Sequence, residues 1–266
     1  MAQEVKTKTK ARGLERAFKI LDYLCATGLP QRPLEISIGM SAPKSSIYEL
    51  VGLLTSVGVL ERVDADGRVF LGRKLNFWGV NYLKHFDLTG LAQPILEWIT
   101  KQTRETSQLC MLDGNKYFVS MMNEGNRPFR ISADVGERIP IPWTASGRLL
   151  TGHMSEKEII DFIPNDDFIL PDGSMLDATA FAESAQLAWA EKFFSFDSVA
   201  DNFTHCFAAP VIESNGLCKS TLCIIAPKDD ARKNYELYKG VLIEAVSKLV
   251  SNIAIKPDGQ HTLAAE

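Results

Sequence analysis

A compact run of helix and hairpin signals between residues 14 and 72 constrains the fold more than any other feature of the chain. Apolar residues recur at helical spacing along one face of a first predicted helix: Leu14, Phe18, Leu21 and Cys25. Thr27 and Gly28 form a stop signal for that helix. Pro33 suits the first turn of a short second helix, because its missing N–H needs no partner there. The segment therefore begins with two helices.

Ser41 and Ala42 are predicted to turn the chain into a third helix that starts at Pro43. Its predicted buried stripe consists of Ile47, Leu50, Val51 and Leu54. Two short strands, 59–63 and 68–71, flank the strong hairpin signal Asp66-Gly67. Three helices followed by a hairpin predict a winged helix-turn-helix domain over residues 14–73. A domain of this kind commonly places its third helix in the major groove of DNA.

The third helix and the wing supply the candidate DNA contacts. The predicted set is Pro43, Lys44, Ser45, Ser46, Tyr48, Glu49, Arg62 and Arg68. Serine, lysine and a helix N-terminus can all bind phosphate, and Glu49 can accept a hydrogen bond from a cytosine amino group or remain solvated. The wing arginines either contact phosphates and the minor groove or are ordinary surface charges.

Length and charge favour two domains of opposite character. The chain has 266 residues, of which 45% are hydrophobic and 23% charged, as in a globular protein with real cores. Residues 1–86 carry 13 Lys and Arg against 8 Asp and Glu, and residues 87–266 carry 16 against 25. The net charges of +5 and −9 together give the total of −4. A basic front and an acidic rear suit a protein that meets DNA at one end.

Other bulk features indicate a cytoplasmic protein. No run reaches the ~20 apolar residues of a membrane span, and residues 1–13 read as a disordered basic tail without the apolar core of a secretory signal. The five cysteines form no paired framework, which is typical of reduced thiols. Residues 257–266 are expected to be a flexible tail.

Residues 74–86 predict an aromatic-rich linker helix with apolar side chains on more than one face. A second subunit or the C-terminal domain of the same chain would bury them. Residues 87–256 predict a sheet packed with helices. The expected helices are 88–99 and 229–253, the latter with an apolar face of Leu237, Val241, Ala245, Leu249 and Ile253. The expected strands are 108–112, 117–122, 129–133, 193–196, 206–212 and 217–226, with a turn at 214–216.

Three segments carry a clear resemblance to a known family: 14–21 (LERAFKIL), 43–48 (PKSSIY) and 67–72 (GRVFLG). The chain resembles the IclR family of bacterial transcriptional regulators over about residues 14 to 254. The resemblance implies an α+β protein with an N-terminal winged helix-turn-helix, a linker helix and a C-terminal GAF-like α/β effector-binding domain. It also implies a homodimer, or a tetramer built as a dimer of dimers, and favours repression.

The resemblance also implies an effector site formed by three segments, 139–148, 195–206 and 222–227. The candidate effector-binding residues are Trp143, Thr144, Ala145, Ser146, Asp197, Cys206, Cys223 and Ile225. Trp143 stands where relatives often have a small residue, so it could stack on or cap a ligand. Relatives commonly carry serines at the positions of Cys223 and Ile225. Losing two hydroxyl donors predicts a larger or partly apolar effector, such as a sugar-acid lactone or an aromatic acid, rather than glyoxylate.

One departure concerns DNA recognition, since relatives usually have a basic residue at the position of Glu49. The operator sequence therefore does not follow from theirs. Catalysis is not expected, because adjacent His205 and Cys206 would point to opposite faces of a strand and the usual catalytic motifs are missing from the sequence. No cofactor is expected either. Zinc, through His205, Cys206, Cys218 and Cys223, is a minor alternative.

These observations predict a DNA-binding regulator, expected to repress a catabolic operon under the control of a small organic or sugar acid. Its partners would be a double-stranded DNA operator, the effector and a second copy of the chain. The alternative is a small-molecule-binding or catalytic α/β protein whose winged helix contacts only other proteins.

Overall fold

The computed structural model describes residues 2–85, 88–127, 135–199, 201–212 and 216–255. The predicted strand 129–133, most of the predicted turn at 214–216 and the predicted tail 257–266 lie outside these residues. The chain divides into two compact units, residues 1–85 and residues 86–266. Each unit has its own hydrophobic core.

Within residues 2–85, the N-terminal unit forms four helices and a two-stranded hairpin. Its elements are α1 (Ala2–Thr27), α2 (Pro33–Gly39), α3 (Lys44–Ser56), β1 (Leu60–Arg62), β2 (Val69–Leu71) and α4 (Arg73–His85). The predicted winged helix-turn-helix is confirmed element by element.

Local chemistry explains the ends of these elements. Gly28 adopts φ +63° directly after α1, a left-handed conformation that glycine adopts without steric cost. Pro33 opens α2, and the Arg32 backbone N–H donates to the Glu35 carboxylate at 2.7 Å, which satisfies one of the free donors at the helix start. Gly67, with φ +77°, lies in the turn between β1 and β2.

The core of this unit confirms the predicted face of α3 and corrects that of α1. Its fully buried members are Ile20, Leu24, Ile36, Ile47, Val51, Leu60 and Val69. Of the residues predicted to form the buried face of α1, Leu14 is 62% exposed, Phe18 is 58% exposed and Cys25 is also exposed. Helix α1 has apolar residues on two sides, and the side with Ile20 and Leu24 packs against the core.

Helix α1 also begins earlier than predicted. Its backbone is helical from Ala2, whereas residues 1–13 were expected to be disordered. Residues 2–12 contain neither proline nor glycine, and Ala, Gln, Glu, Lys and Arg all have high helix propensity. The basic composition of the segment was therefore a poor guide to its backbone conformation.

In the C-terminal unit, the described residues form helices and one six-stranded sheet. Its helices are α5 (Leu88–Thr103), α6 (Ala145–Thr151), α7 (Glu156–Phe162), α8 (Ala178–Glu191), α9 (Lys228–Lys233) and α10 (Tyr235–Ile255), with 3₁₀ turns at Ile141–Trp143 and Asn165–Phe168. Its strands are β3 (Thr106–Asp113), β4 (Lys116–Asn123), β5 (Arg138–Pro140), β6 (Phe194–Asp197), β7 (Thr204–Ile212) and β8 (Cys218–Pro227).

The sheet is antiparallel throughout, with the order β5-β4-β3-β8-β7-β6. Helices α5 and α10 cover one face, where the core contains Leu96, Leu109, Phe207 and Leu242. Helices α6, α7 and α8 cover the other, around Cys110, Leu149, Ala208 and Cys223. We call these the α10 face and the α6 face.

Two sequence expectations for this unit need correction. The closing helix predicted over 229–253 is two helices, because the chain breaks at Asn234 (φ −117°, ψ 21°) between α9 and α10. Leu237, predicted to be buried on this helix, is 52% exposed, and Tyr238 occupies the core instead. The short strand β5 was not predicted at all.

None of the helices that the structure describes is both long enough and apolar enough to cross a membrane.

The fold makes a specific prediction at Gly147. A Cβ atom there would lie 1.8 Å from the carbonyl oxygen of Ile141, which is backbone and cannot rotate away. Gly147→Ala should therefore destabilise the C-terminal domain by about 3 kcal/mol, the upper end of the usual cost of overpacking. Chemical denaturation followed by circular dichroism measures this.

Gly240→Ala in α10 is the matched control, because nothing lies within 4 Å of a Cβ atom built there. Removing a glycine from a helix interior should stabilise the same domain by about 0.5–1 kcal/mol. Equal effects of the two substitutions would contradict the close approach of α6 to Ile141.

Candidate functional site

The first candidate surface lies at the start of α3. Lys44, Ser45 and Glu49 are exposed, and the Tyr48 side chain is 53% exposed. Pro43, also exposed, precedes the first helical residue. The structure thus places Lys44, Ser45, Tyr48 and Glu49 together on one exposed surface, which we call the reading surface. Ile47 and Val51 of the same helix face the core. The first two turns of α3 present one cation, Lys44, and one carboxylate, Glu49, together with hydroxyl groups.

Ser46 differs from its neighbours on this helix because its hydroxyl already has a partner. The guanidinium of Arg16 in α1 donates to Ser46 Oγ at 2.7 Å. Ser46 therefore connects α1 to the start of α3, and it is half-buried. The same bond brings a second cation, Arg16, beside the reading surface. The sequence motif around Arg16 did not indicate this contact.

Carboxylates of the wing lie beside one of its two predicted cations and beside an arginine at the start of the neighbouring helix α2. Arg68 lies 3.8 Å from Asp64, and Arg32 at the start of α2 lies 3.0 Å from Asp66. Arg62 forms no ion pair with any residue that the structure describes. Asp64 and Asp66 thus lie close to Arg68 and Arg32. The positive charge at the wing tip is therefore weaker than a count of Arg and Lys suggests.

The second candidate site lies on the α6 face of the sheet. The hydroxyl of Ser146 in α6 hydrogen-bonds with the thiol of Cys223 in β8, and Thr221 donates to Ser146 Oγ at 2.8 Å. The sulfur atoms of Cys110 and Cys223 are 3.8 Å apart. All four side chains are buried. The hydrogen bond between the two cysteines raises the pKa of the Cys110 thiol well above its ordinary value, and burial raises it further.

Strand alternation assembles several predicted residues around this cluster. Cys223 and Ile225 are two apart on β8, so they face the same side of the sheet, and Cys206 of β7 is paired with Ile225. Cys206 packs against the same core as Cys223 and Ala145. Burial raises the pKa of the Cys206 thiol to about 12, so this thiol is protonated at neutral pH.

The loop before α6 is held by its own hydrogen bonds. The Thr144 hydroxyl accepts from the Gly147 backbone N–H at 3.2 Å and caps the helix. The Trp143 indole N–H donates to the Asp167 carbonyl at 2.8 Å. The side chain of Asp167 contacts the Lys116 ammonium. Trp143 therefore connects two 3₁₀ turns, and its N–H is already bonded.

Asp197 does not join the other predicted effector residues. Its carboxylate contacts His205 Nδ1 at 2.8 Å and lies 3.6 Å from Arg232 in α9. The hydrogen bond to His205 lowers the pKa of Asp197. The neighbouring residue Phe196 packs on the α6 face. Successive residues of β6 alternate between faces, so Asp197 belongs to the α10 face.

Arg148 is a buried cation that the sequence analysis did not single out. Only 8% of the residue is exposed. Its guanidinium donates to Ser184 Oγ at 3.1 Å and to the Thr144 carbonyl at 2.9 Å, with a longer contact of 3.4 Å to the Pro142 carbonyl. Its Cζ atom lies 5.0, 5.0 and 4.6 Å from the ring centres of Phe181, Phe194 and Phe196. Burial lowers the pKa of Arg148 to about 10, so the group is charged at neutral pH. We call this arrangement the Arg148 cage.

The geometry also bears on the zinc and thiol alternatives. His205 stacks on Phe207 of the α10 face at 4.8 Å, whereas Cys206 packs on the α6 face. Cys218 donates to the Ser220 carbonyl. Within the described parts of the chain, no three His, Cys, Asp or Glu side chains come together in a way that could hold a metal ion.

Sequence reasoning missed Thr221, Cys110 and Arg148. Thr221 could have been found, because it lies two residues before Cys223 and therefore shares its face. Cys110 required knowledge that β3 and β8 are neighbours in the sheet. Arg148 lies within the segment 139–148 that the family resemblance indicated, but nothing in the sequence shows that its charge is buried.

Comparison with known proteins agrees with this architecture. The profile of the IclR helix-turn-helix domain matches residues 13–64, and that of the bacterial transcriptional regulator IclR C-terminal domain matches residues 80–169. The chain belongs to the IclR family of bacterial transcriptional regulators.

Individual relatives are similar over most of their length. The HTH-type transcriptional repressor AllR of Salmonella typhimurium is 21% identical over 250 residues, covering 93% of this chain and 92% of AllR. The regulator KipR of Bacillus subtilis is 26% identical over 170 residues, covering 64% of this chain and 68% of KipR. A solved IclR homolog from Microbacterium hydrocarbonoxydans, complexed with 4-hydroxybenzoate, has a TM-score of 0.76 at 22% identity and covers 91% of this chain and 99% of its own.

The charge pairs of the wing yield a prediction for this IclR-family regulator. Asp64→Asn combined with Asp66→Asn should raise affinity for duplex DNA roughly 2–5-fold, because the change removes repulsion of phosphate and releases two arginines. Fluorescence anisotropy on a labelled DNA duplex at two salt concentrations measures the change.

Asp113→Asn is the matched control, since Asp113 also pairs with an arginine, Arg138, but belongs to the C-terminal domain. Its affinity for DNA should equal that of the unchanged protein. An affinity that falls in the wing variant would show that Asp64 and Asp66 order the hairpin rather than oppose DNA.

Proposed function

We propose that the protein is a dimeric repressor of a catabolic operon that binds operator DNA through α3 and is controlled by an organic acid bound in the C-terminal domain. The observation that carries the DNA-binding part is the exposed side of the first two turns of α3. Lys44, Ser45, Tyr48 and Glu49 project from a helix whose opposite side is locked into the core. This is the geometry of a recognition helix.

Exposed apolar side chains support the proposed dimer. Leu14 and Phe18 of α1 are more than half exposed, and so are Phe77 and Tyr82 of α4. Where large exposed apolar side chains form a contiguous patch, they commonly mark a surface that contacts another protein. A second copy of the chain would cover them and would pair two recognition helices on two half-sites. Size-exclusion chromatography with light scattering tests the assembly.

Relatives support repression and an acid effector. AllR is described as a repressor, and the Microbacterium homolog holds 4-hydroxybenzoate. In this chain the α6 face offers buried thiols and aromatic rings around a few hydroxyl groups. Such a lining suits an acid with an apolar body better than glyoxylate. The protein would act in the cytoplasm, where its operator lies.

Electrophoretic mobility shift with DNA from upstream of its own gene tests the proposal. Salt-sensitive retardation is expected, because Lys and Arg displace counterions from phosphate. Retardation that is absent, or that does not weaken with salt, would favour the alternative in which the winged helix contacts only proteins.

Lys44 provides the sharpest single-residue prediction. Lys44→Ala should weaken operator binding roughly 5–10-fold and reduce the salt dependence by about one counterion, because one phosphate contact is lost. The control is Lys219→Ala, which removes an exposed lysine of the C-terminal domain. Equal losses for the two variants would indicate nonspecific charge attraction rather than a recognition surface at α3.

A further inference from the structure

The Arg148 cage contains a buried positive charge without a negative partner. Among the residues that the structure describes, the guanidinium bonds only to a hydroxyl and to backbone carbonyl groups. A buried charge loses its hydration, and a neutral partner compensates for this less well than an opposite charge does. Arg148 remains charged at neutral pH with neutral acceptors and three aromatic rings around it, so an anion would add the opposite charge that its surroundings lack.

Two other cations of the same domain have the carboxylate partners that Arg148 lacks. Arg127 lies 2.6 Å from the Glu105 carboxylate and 2.9 Å from Asp230. Lys116 contacts Asp167. Both side chains are more exposed than Arg148 and yet have a carboxylate partner. The domain therefore places carboxylates beside two partly buried cations, Arg127 and Lys116, but none beside Arg148.

The position of the cage connects it to the predicted effector residues. Ala145 lies three residues before Arg148 and therefore on the same side of α6. Cys206 is paired with Phe196, one of the three rings of the cage. Phe194 and Phe196 belong to β6, the edge strand of the sheet, and both are only half-buried. The cage thus borders both the effector residues and the sheet edge.

The chemistry of the cage defines what it could bind. A guanidinium binds a carboxylate through charge-assisted hydrogen bonds. In Arg148, Nε and Nη1 already have acceptors, whereas Nη2 has none among the described residues. Three phenylalanine rings offer an apolar surface for the body of the ligand. Residues 87–266 carry a net charge of −9, which repels an organic acid unless a cation inside the domain attracts it.

We propose that Arg148 is the anion-binding residue of the effector site and that it takes the carboxylate of a small organic acid whose apolar body lies against Phe194 and Phe196. The acid replaces the missing counterion of the guanidinium. This inference rests on the proposed function, because it names the residue that recognises the effector's charge. The Ser146–Cys223 cluster, on another side of α6, is not needed to hold the carboxylate.

Acid and amide pairs test this on the full-length protein. The probes are formate, acetate, benzoate and 4-hydroxybenzoate, each compared with its neutral amide at about ten times a millimolar Kd. At least one acid should raise the thermal midpoint by roughly 2–4 °C more than its amide does. If no acid exceeds its amide, the inference is overturned.

Substitutions at Arg148 test whether this residue causes the preference for the acid over its amide. Arg148→Gln keeps an N–H donor at the position of Nε, which bonds to Ser184 Oγ, but carries no charge, so the preference for the acid should disappear. Arg148→Lys restores the charge and should recover part of the preference. The control Arg138→Met removes an exposed arginine that is paired with Asp113 and should keep the whole preference. A preference that survives unchanged in Arg148→Gln would overturn the assignment.

Each comparison of acid with amide is made within one variant, so a change in baseline stability cancels. If Arg148→Gln does not fold, arginine Nε–H signals in the NMR spectrum of the unchanged protein decide the question. The acid should move the one signal that is missing from Arg148→Lys, and an unmoved signal would overturn the inference. Operator binding in the mobility-shift assay is a separate measurement, so the regulator proposal can stand where the Arg148 proposal fails, and the reverse.

Discussion

The pairing of β8 with β3 on one side and β7 on the other is the constraint on which the C-terminal domain depends. Because β8 is hydrogen-bonded along both edges and covered on both faces, a one-residue slip would exchange its two faces. Leu222 and Ile224 would then leave the core beneath α10, and Cys223 would leave the α6 face. The same register places Thr221 and Cys223 against Ser146, so strand pairing fixes the position of α6 as well.

Helix α6 is held against this frame by close contacts rather than by bulk. Gly147 permits the backbone of Ile141 to approach, Thr144 caps the first turn, and Arg148 draws the carbonyl groups of the preceding loop inward. The helix has only seven residues and would be unstable alone. Its geometry is therefore a product of tertiary contacts. A ligand that bonds to any of these groups would act on the whole loop between β5 and α6.

Sequence reasoning predicted the elements well where local signals are strong. Gly28, Pro33 and Gly67 marked their boundaries because each has a backbone requirement that few residues meet. Sequence reasoning failed where tertiary packing decides which side of a helix, or which face of a strand, is buried. Leu14 and Ile20 are equally apolar, and only the packing of α1 shows which is buried. Asp197 matched a family position, yet the alternation along β6 and its bond to His205 turn it to the α10 face. A buried charge such as Arg148 has no local signature.

The position of β6 has a consequence for the timing of events in this domain. A four-residue edge strand with one neighbour opens locally far more often than a central strand. Phe194 and Phe196 would move with it, so the two rings over Arg148 are carried by a strand that has hydrogen-bonded pairing along one edge only. Entry to the guanidinium would then be governed by fraying of a few hydrogen bonds rather than by unfolding of the domain. A molecule bound against these rings would add contacts to an edge strand and so hold it in place.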